Sequence, residues 1–166
     1  MNLELRELSI VDGKEIYDML QEIGPGENGF GNCGYDVEYT RFADYLIDNL
    51  KYSKGLQLKE EHVPQTIYWL FANKRPVGMI KLRAYLNDSL LKEGGHIGYC
   101  IRPSERGKGY GNVILGEVLR LACVKGIDKV LITCNENNML SKKVIEKNGG
   151  IMENIISGKC RYWITF

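Results

Sequence analysis

Histidine and proline are scarce in this chain, with two of the first and four of the second among 166 residues. No two cysteines stand in a C-x-x-C spacing, and the two histidines, His62 and His96, are too far apart in sequence to form a paired zinc motif. The cysteine count of five is odd, which argues against a disulfide framework. No apolar run reaches the roughly 18 residues that a membrane span needs. Neither sign of charge is in excess: 22 Lys and Arg face 21 Asp and Glu, a net charge of +1. A chain so balanced has no global attraction for nucleic acid, so any basic feature must act locally. The opening "MNLELRELSI" carries charges where a signal peptide has its apolar core. These absences lead us to expect a cytoplasmic protein with reduced thiols and no bound metal, with neither nucleic acid nor membrane as a partner.

Glycine, in contrast, is abundant, with 19 residues. The mass of 18.9 kDa suits one ordinary domain, taken as residues 1–166, and 44% hydrophobic against 26% charged residues is a globular balance. "NLELREL" alternates like a half-buried strand. Asp12 and Glu15 then read as a capping box ahead of a helix carrying Ile16, Met19, Leu20 and Ile23. "GPGENGFGNCG" is a loop by composition, and a second helix is expected from Val37 to Tyr52, with Phe42, Tyr45, Leu46, Ile47 and Leu50 as its stripe. "TIYWLFA" and "PVGMIKLRA" make a hairpin, residues 86–94 a polar loop with some helical turn, and "HIGYCI" a further strand. A helix to about Lys125, the continuously apolar strand "KVLITC", a helix from Asn138 to Lys147 and a closing hairpin complete the chain. The order is β-α-α-β-β-β-α-β-α-β-β: an α/β (α+β) mixed sheet with helices on both faces.

The chemistry concentrates in "IRPSERGKGYGNVILGEVLRLA", residues 101–122. Here Gly107, Gly109 and Gly111 alternate among cations at the mouth of a helix. The first amides of a helix have no intrahelical partner, and the macrodipole adds partial positive charge there. Glycine lets the backbone approach a ligand closely. The stretch therefore suits a pyrophosphate, assisted by Arg106 and Lys108. Its spacing fits neither a Walker loop, which needs Ser or Thr after Gly-Lys, nor the GxGxxG of a dinucleotide fold.

"IRPSERGKGYG" resembles the acetyl-CoA motif of the GNAT N-acetyltransferase superfamily, with Arg106, Gly109 and Gly111 in its three fixed places. "NNMLSKKVIEKNGG" is similar to the family's "N-x-x-A…Y-E-K-x-G-F" helix, and "VPQTIYWLF", "LRAYLN" and "GGHIGY" look like a bacterial subgroup of predicted acetyltransferases. The element order is also that family's order, with a twisted, mostly antiparallel sheet. The resemblance implies acetyl-CoA as cosubstrate. Its pyrophosphate would lie on Gly107, Lys108, Gly109, Tyr110, Gly111 and Asn112, with Arg106 assisting. Its pantetheine arm would pair with the backbone of Tyr99, Cys100 and Ile101, one of whose amides would serve as an oxyanion donor. Asn138 and Ser141 would sit near the thiol.

The implied reaction is acetyl transfer to an amine by direct attack in a ternary complex, on a small-molecule or peptide acceptor, by a monomer or homodimer. The alternative is a non-catalytic acetyl-CoA-binding sensor. The family's usual acid, a tyrosine, falls at Ile145, so Ser141 becomes the nearest hydroxyl. For the base, His96 suits by chemical type, and Glu27 by its place in the loop between the first two helices; the side chains of Tyr99, Cys100 and Ile101 are expected to serve packing. Of the aromatics, Tyr35, Tyr39, Tyr68, Trp69, Tyr162 and Trp163 are open to either the core or an acceptor pocket.

Overall fold

The structure is a computed structural model that describes residues 2–166. Seven strands form two antiparallel sheets. The first has the order β1 (Leu3–Glu7), β2 (Gln65–Ala72), β3 (Arg75–Arg83) and β4 (Ile97–Ile101). The second places β7 (Lys159–Thr165) between β5 (Lys129–Asn135) and β6 (Ile151–Ile156). The helices are α1 (Lys14–Ile23), α2 (Phe42–Ser53), α3 (Asp88–Lys92), α4 (Tyr110–Val124) and α5 (Met139–Lys147). The expected order therefore holds, and the helical turn expected in the polar segment after β3 is α3. What reads as one mixed sheet is split in two between β4 and β5.

Strand alternation explains why helices cover both faces. Even-numbered residues of β2, among them Tyr68 and Leu70, pack with Ile114, Leu115 and Val118 of α4 and with Ile132 and Tyr162 of the second sheet. Odd-numbered Trp69 and Phe71 pack with Met79 and Cys100 against Ile16, Met19 and Leu20 of α1 and Phe42 and Leu46 of α2. Period-two chains buried on both sides read as continuous apolar runs, as "TIYWLFA" does.

Two local expectations change. Asp12 does not cap α1: the N-cap is Gly13, without a side-chain cap. Instead the Asp12 carboxylate accepts from the Ser9 amide at 2.8 Å and from Trp69 Nε1 at 2.7 Å, and pairs with Arg6 at 2.8 Å. A fully buried indole needs a partner for its N–H, and Asp12 supplies it. The second helix starts at Phe42 after a 3₁₀ turn at Tyr39–Arg41, and Ile47 of its expected stripe is exposed. Among the described residues no helix is long and apolar enough to cross a membrane.

Candidate active site

Strands β4 and β5 meet at their approach and then separate. Gly95 bridges Ile132, the His96 amide donates to Leu131 O at 2.8 Å, and the Leu131 amide donates to His96 Nδ1 at 3.0 Å. The imidazole thus stands where a strand carbonyl would stand. Accepting at Nδ1 leaves the neutral ring's proton on Nε2, so His96 has no free lone pair with which to act as a base. Burial, with a smaller contribution from the Arg83 charge, pushes its pKa down to about 4. The side chain is buried and does not line the cleft that follows. His96 pins the two sheets together. His62, also remote from the cleft, bonds Tyr52 Oη through Nδ1 at 2.7 Å.

Beyond the pin a cleft of about 730 Å³ opens, lined by β4 from Ile97 to Ile101, by Ile132–Cys134 of β5, by α5 and by the glycine turn. β4 is the edge of its sheet, so its outward backbone groups face this space. Gly107 and Gly109 have φ of +78° and +84°, and among the described residues, chain neighbours aside, no heavy atom lies within 4 Å of where a Cβ would stand on either. Helix α4 has Gly109 at its N-cap and no side-chain cap, so no side chain occupies the helix mouth as a cap. Gly107, Gly109, Tyr110, Gly111 and Asn112 all line the cleft, together with Tyr99, Cys100 and Ile101.

The cations of the turn are engaged elsewhere. Lys108 pairs with Glu105 at 2.7 Å and does not line the cleft. Arg102 is buried, donating to Pro76 O and to Glu22, which also accepts from the Ser104 amide at 2.8 Å. Burial raises the Glu22 pKa, but its bonds to Arg102 and Ser104 together outweigh this and hold it at about 2. Arg106 does line the cleft, yet its Nε donates back to Ile101 O at 3.0 Å and its guanidinium pairs with Glu27 at 2.6 Å. Glu27 and Arg106 thus meet across the end of β4, two candidates that are far apart in sequence.

On the other wall, Asn138 caps α5 by accepting from the Ser141 amide at 3.1 Å, and both residues line the cleft. Ser141 Oγ lies 3.3 Å from Tyr99 Oη, a hydroxyl pair that the sequence reading missed. Desolvation is the main cause holding the Tyr99 phenol above its usual range, so it stays protonated. Ile145, one turn on, is fully buried in the core and does not line the cleft. Burial likewise raises the Cys100 thiol, and raises Cys134 to about 11, so neither is a thiolate at neutral pH.

The acceptor end also differs from expectation. Trp69, Tyr68 and Tyr162 lie in the core and Tyr39 packs on Tyr17 and Phe42, so none of these aromatics lines the cleft. Phe30 does, covering Gly98, with Lys81 Nζ 4.8 Å from its ring centroid. Lys81 and Arg83, which β3 aims into the cleft, had no signal beyond strand alternation.

The model of the acetyltransferase (GNAT) domain matches residues 2–151. The chain belongs to the GNAT acetyltransferase family. This family implies acetyl-CoA-dependent acyl transfer. No curated protein sequence matches the chain. Among solved structures, this GNAT chain is similar to RimL, a ribosomal L7/L12 α-N-protein acetyltransferase in complex with coenzyme A. The TM-score is 0.73 at 17% identity, covering 100% of this chain and 95% of that one. A ribosomal-protein-S5-alanine acetyltransferase from Vibrio fischeri gives 0.72 at 13% identity, covering 99% and 93%. The N-acetyltransferase PseH of Campylobacter jejuni, in complex with acetyl coenzyme A, gives 0.66 at 10% identity, covering 99% of each chain. Identities this low establish a shared fold.

Proposed function

We propose that this protein, working as one domain, transfers an acetyl group from acetyl-CoA to an amine by direct attack in a ternary complex. The observation that carries this reading is the free edge of β4 running into the uncapped, glycine-lined mouth of α4 within one cleft. The open space at Gly107 and Gly109 fits a ligand that approaches the backbone closely. In this reading the amides of Gly107–Asn112 hold the pyrophosphate, the edge of Tyr99–Ile101 holds the pantetheine arm, and acetyl-CoA supplies the activated acyl group.

The protein's own groups then divide the proton work by face. Tyr99 and Ser141 lie on the α4 and α5 side of β4, where Ser141 Oγ holds a proton for the departing sulfur and Tyr99 Oη orients and replenishes it. Glu27 lies on the opposite side with Cys100 and Phe30, where its carboxylate accepts the proton of the incoming amine. An amide of β4 in the cleft stabilises developing negative charge on oxygen. A hydroxyl pair in the cleft favours turnover over a purely sensing role. Thiol release from acetyl-CoA, measured over a panel of amines, tests the reading: coenzyme A binding without release in the presence of any amine would leave a sensor, and displacement of coenzyme A by ATP would leave a nucleotide site.

A further inference from the structure

We infer that the end of the cleft away from the glycine turn is a subsite for an anion on the acceptor, so that the amine taken is one bearing a nearby carboxylate or phosphate. The inference rests on the acetyl-transfer reading for the identity of the ligand, but not for the existence of the subsite. Lys81 and Arg83 stand two residues apart on one face of β3, which places their Cα atoms about 7 Å apart along the strand, and both line the cleft. Lys81 donates to Gly31 O at 2.5 Å, and Arg83 to Gly94 O at 3.2 Å and Gly95 O at 3.0 Å. Lys159, reaching in from β7, is held by the Asn135 side chain and comes within 3.1 Å of where a Cβ on Gly29 would be. The partners of all three are neutral oxygens.

This sets them apart from the other end of the cleft, where Arg102, Arg106 and Lys108 each pair with a carboxylate. Among the described residues no carboxylate lies within 4.0 Å of the charged nitrogens of Lys81, Arg83 or Lys159, although Glu93 lines the same end. Desolvation is the leading cause lowering the pKa of both Lys81 and Arg83, a cost that a bound anion offsets. The cofactor's phosphates do not account for these cations. Lys81 is paired with Gly98 and the Arg83 amide bonds His96 O, whereas the turn begins after Ile101. Those positions are about 10 Å and 16 Å back along the strand. Between the two charged ends lies the stretch of β4 assigned to the pantetheine arm.

The test is calorimetric titration of the protein in the presence of coenzyme A with two matched pairs of amines. One pair is O-phosphoethanolamine against ethanolamine, and the other is a serine-initiated peptide with two aspartates against the same peptide with two asparagines. The charged member of at least one pair should bind about tenfold or more tightly, as expected for hydrogen bonds to charged groups. A preference in the first pair assigns a small anionic amine, and one in the second an acidic peptide. Lys81→Met should remove the preference and Lys81→Arg should keep it, with coenzyme A affinity unchanged; Lys159→Met serves if the first variant fails to fold. Equal binding within both pairs, binding by none of the four, or a preference that survives Lys81→Met and Lys159→Met overturns the subsite. Absence of thiol release with every amine, alongside an intact charge preference, overturns the transfer reading and leaves the subsite standing.

Discussion

The outer edge of strand β4 is fastened at its entrance and free beyond it. At the entrance, Gly95 and His96 exchange backbone and imidazole hydrogen bonds with Leu131 and Ile132. From Ile97 on, the same strand lines an open cleft and leads into a helix mouth that no side chain caps. The polar residues follow this division. His96 has its one lone pair engaged by the Leu131 amide, while Tyr99 and Ser141 bond one another at the cleft surface and stay within reach of a ligand. Chemical type alone would rank the histidine first. The geometry reverses that order, because a base needs a free lone pair more than it needs a pKa near neutrality.

The hardest way to break the contrast is to unfasten the pinned end. Gly95 has φ of +61°, and a Cβ there would stand 2.4 Å from Leu131 O, a backbone atom that cannot swing aside. Gly95→Val should cost about 3 kcal/mol or more in unfolding free energy by denaturant titration, combining left-handed strain with a clash. Turnover per folded molecule should fall as well, since the cleft depends on the junction.

The free end should respond in rate rather than stability. Ser141→Ala should lower kcat about 10²-fold or more, as for loss of a positioned acid. The Kd for acetyl-CoA should change far less, because the bond strengthens only as charge develops on sulfur. Tyr99→Phe should give a smaller loss of kcat and should add little to Ser141→Ala in the double variant if the two hydroxyls act as one unit. Additive losses would show that Tyr99 acts independently. Ile145→Tyr sharpens the point. Ile145 is fully buried and the Cβ of a residue at position 150 would lie 2.4 Å from its Cγ2, so the ring would be forced into the core. Overpacking of about 1–3 kcal/mol is expected in thermal unfolding, with no gain in turnover.

Acid provides a milder probe of the pin. The folded-state pKa of His96 is about 4, below the ordinary value of 6.5, so the unfolded chain binds its proton first as pH falls. This contribution to stability is complete above about pH 6.5, declines between there and about pH 4, and is on the order of 1–2 kcal/mol after solvent screening. Glu22, held at about 2, adds a separate loss that begins only below its ordinary value of 4.5. His96→Asn, whose Oδ1 can accept from the Leu131 amide in place of Nδ1, should flatten the upper window in chemical denaturation series and leave the lower one intact.

The glycine turn was legible because its conformation lies in the backbone. Gly107 and Gly109 announce positive φ wherever they occur, and a helix mouth after them needs no further information to favour an anion. Asn138 was legible only as the asparagine of the family's helix motif; its role as the cap of α5, accepting from the Ser141 amide, emerged in the fold. Side chains acting in pairs were not legible. Glu27 and Arg106 are 79 residues apart, and Tyr99 and Ser141 are 42 apart. Nothing local to either member of a pair marks it. The family motif pointed to Ile145, yet α5 turns that position into the core and Ser141 toward the cleft.

The sequence by itself determined the order of elements, the faces of the strands and the glycine-lined mouth of α4, since each depends on periodicities of 2 and 3.6 residues or on glycine's conformational range within a few positions. Tertiary structure decided that the sheet splits after His96, that His96 closes that split rather than donating chemistry, and which charges remain uncompensated. Arg106 and Lys108 read as phosphate-assisting cations beside the turn, but carboxylates from the loop after α1 and from the turn itself claim both, as Glu22 of α1 claims Arg102. Lys81, Arg83 and Lys159 look ordinary on their strands and are left to neutral oxygens. Charge compensation depends on distances of a few ångströms between segments far apart in the chain, and only the folded arrangement of both sheets sets those distances.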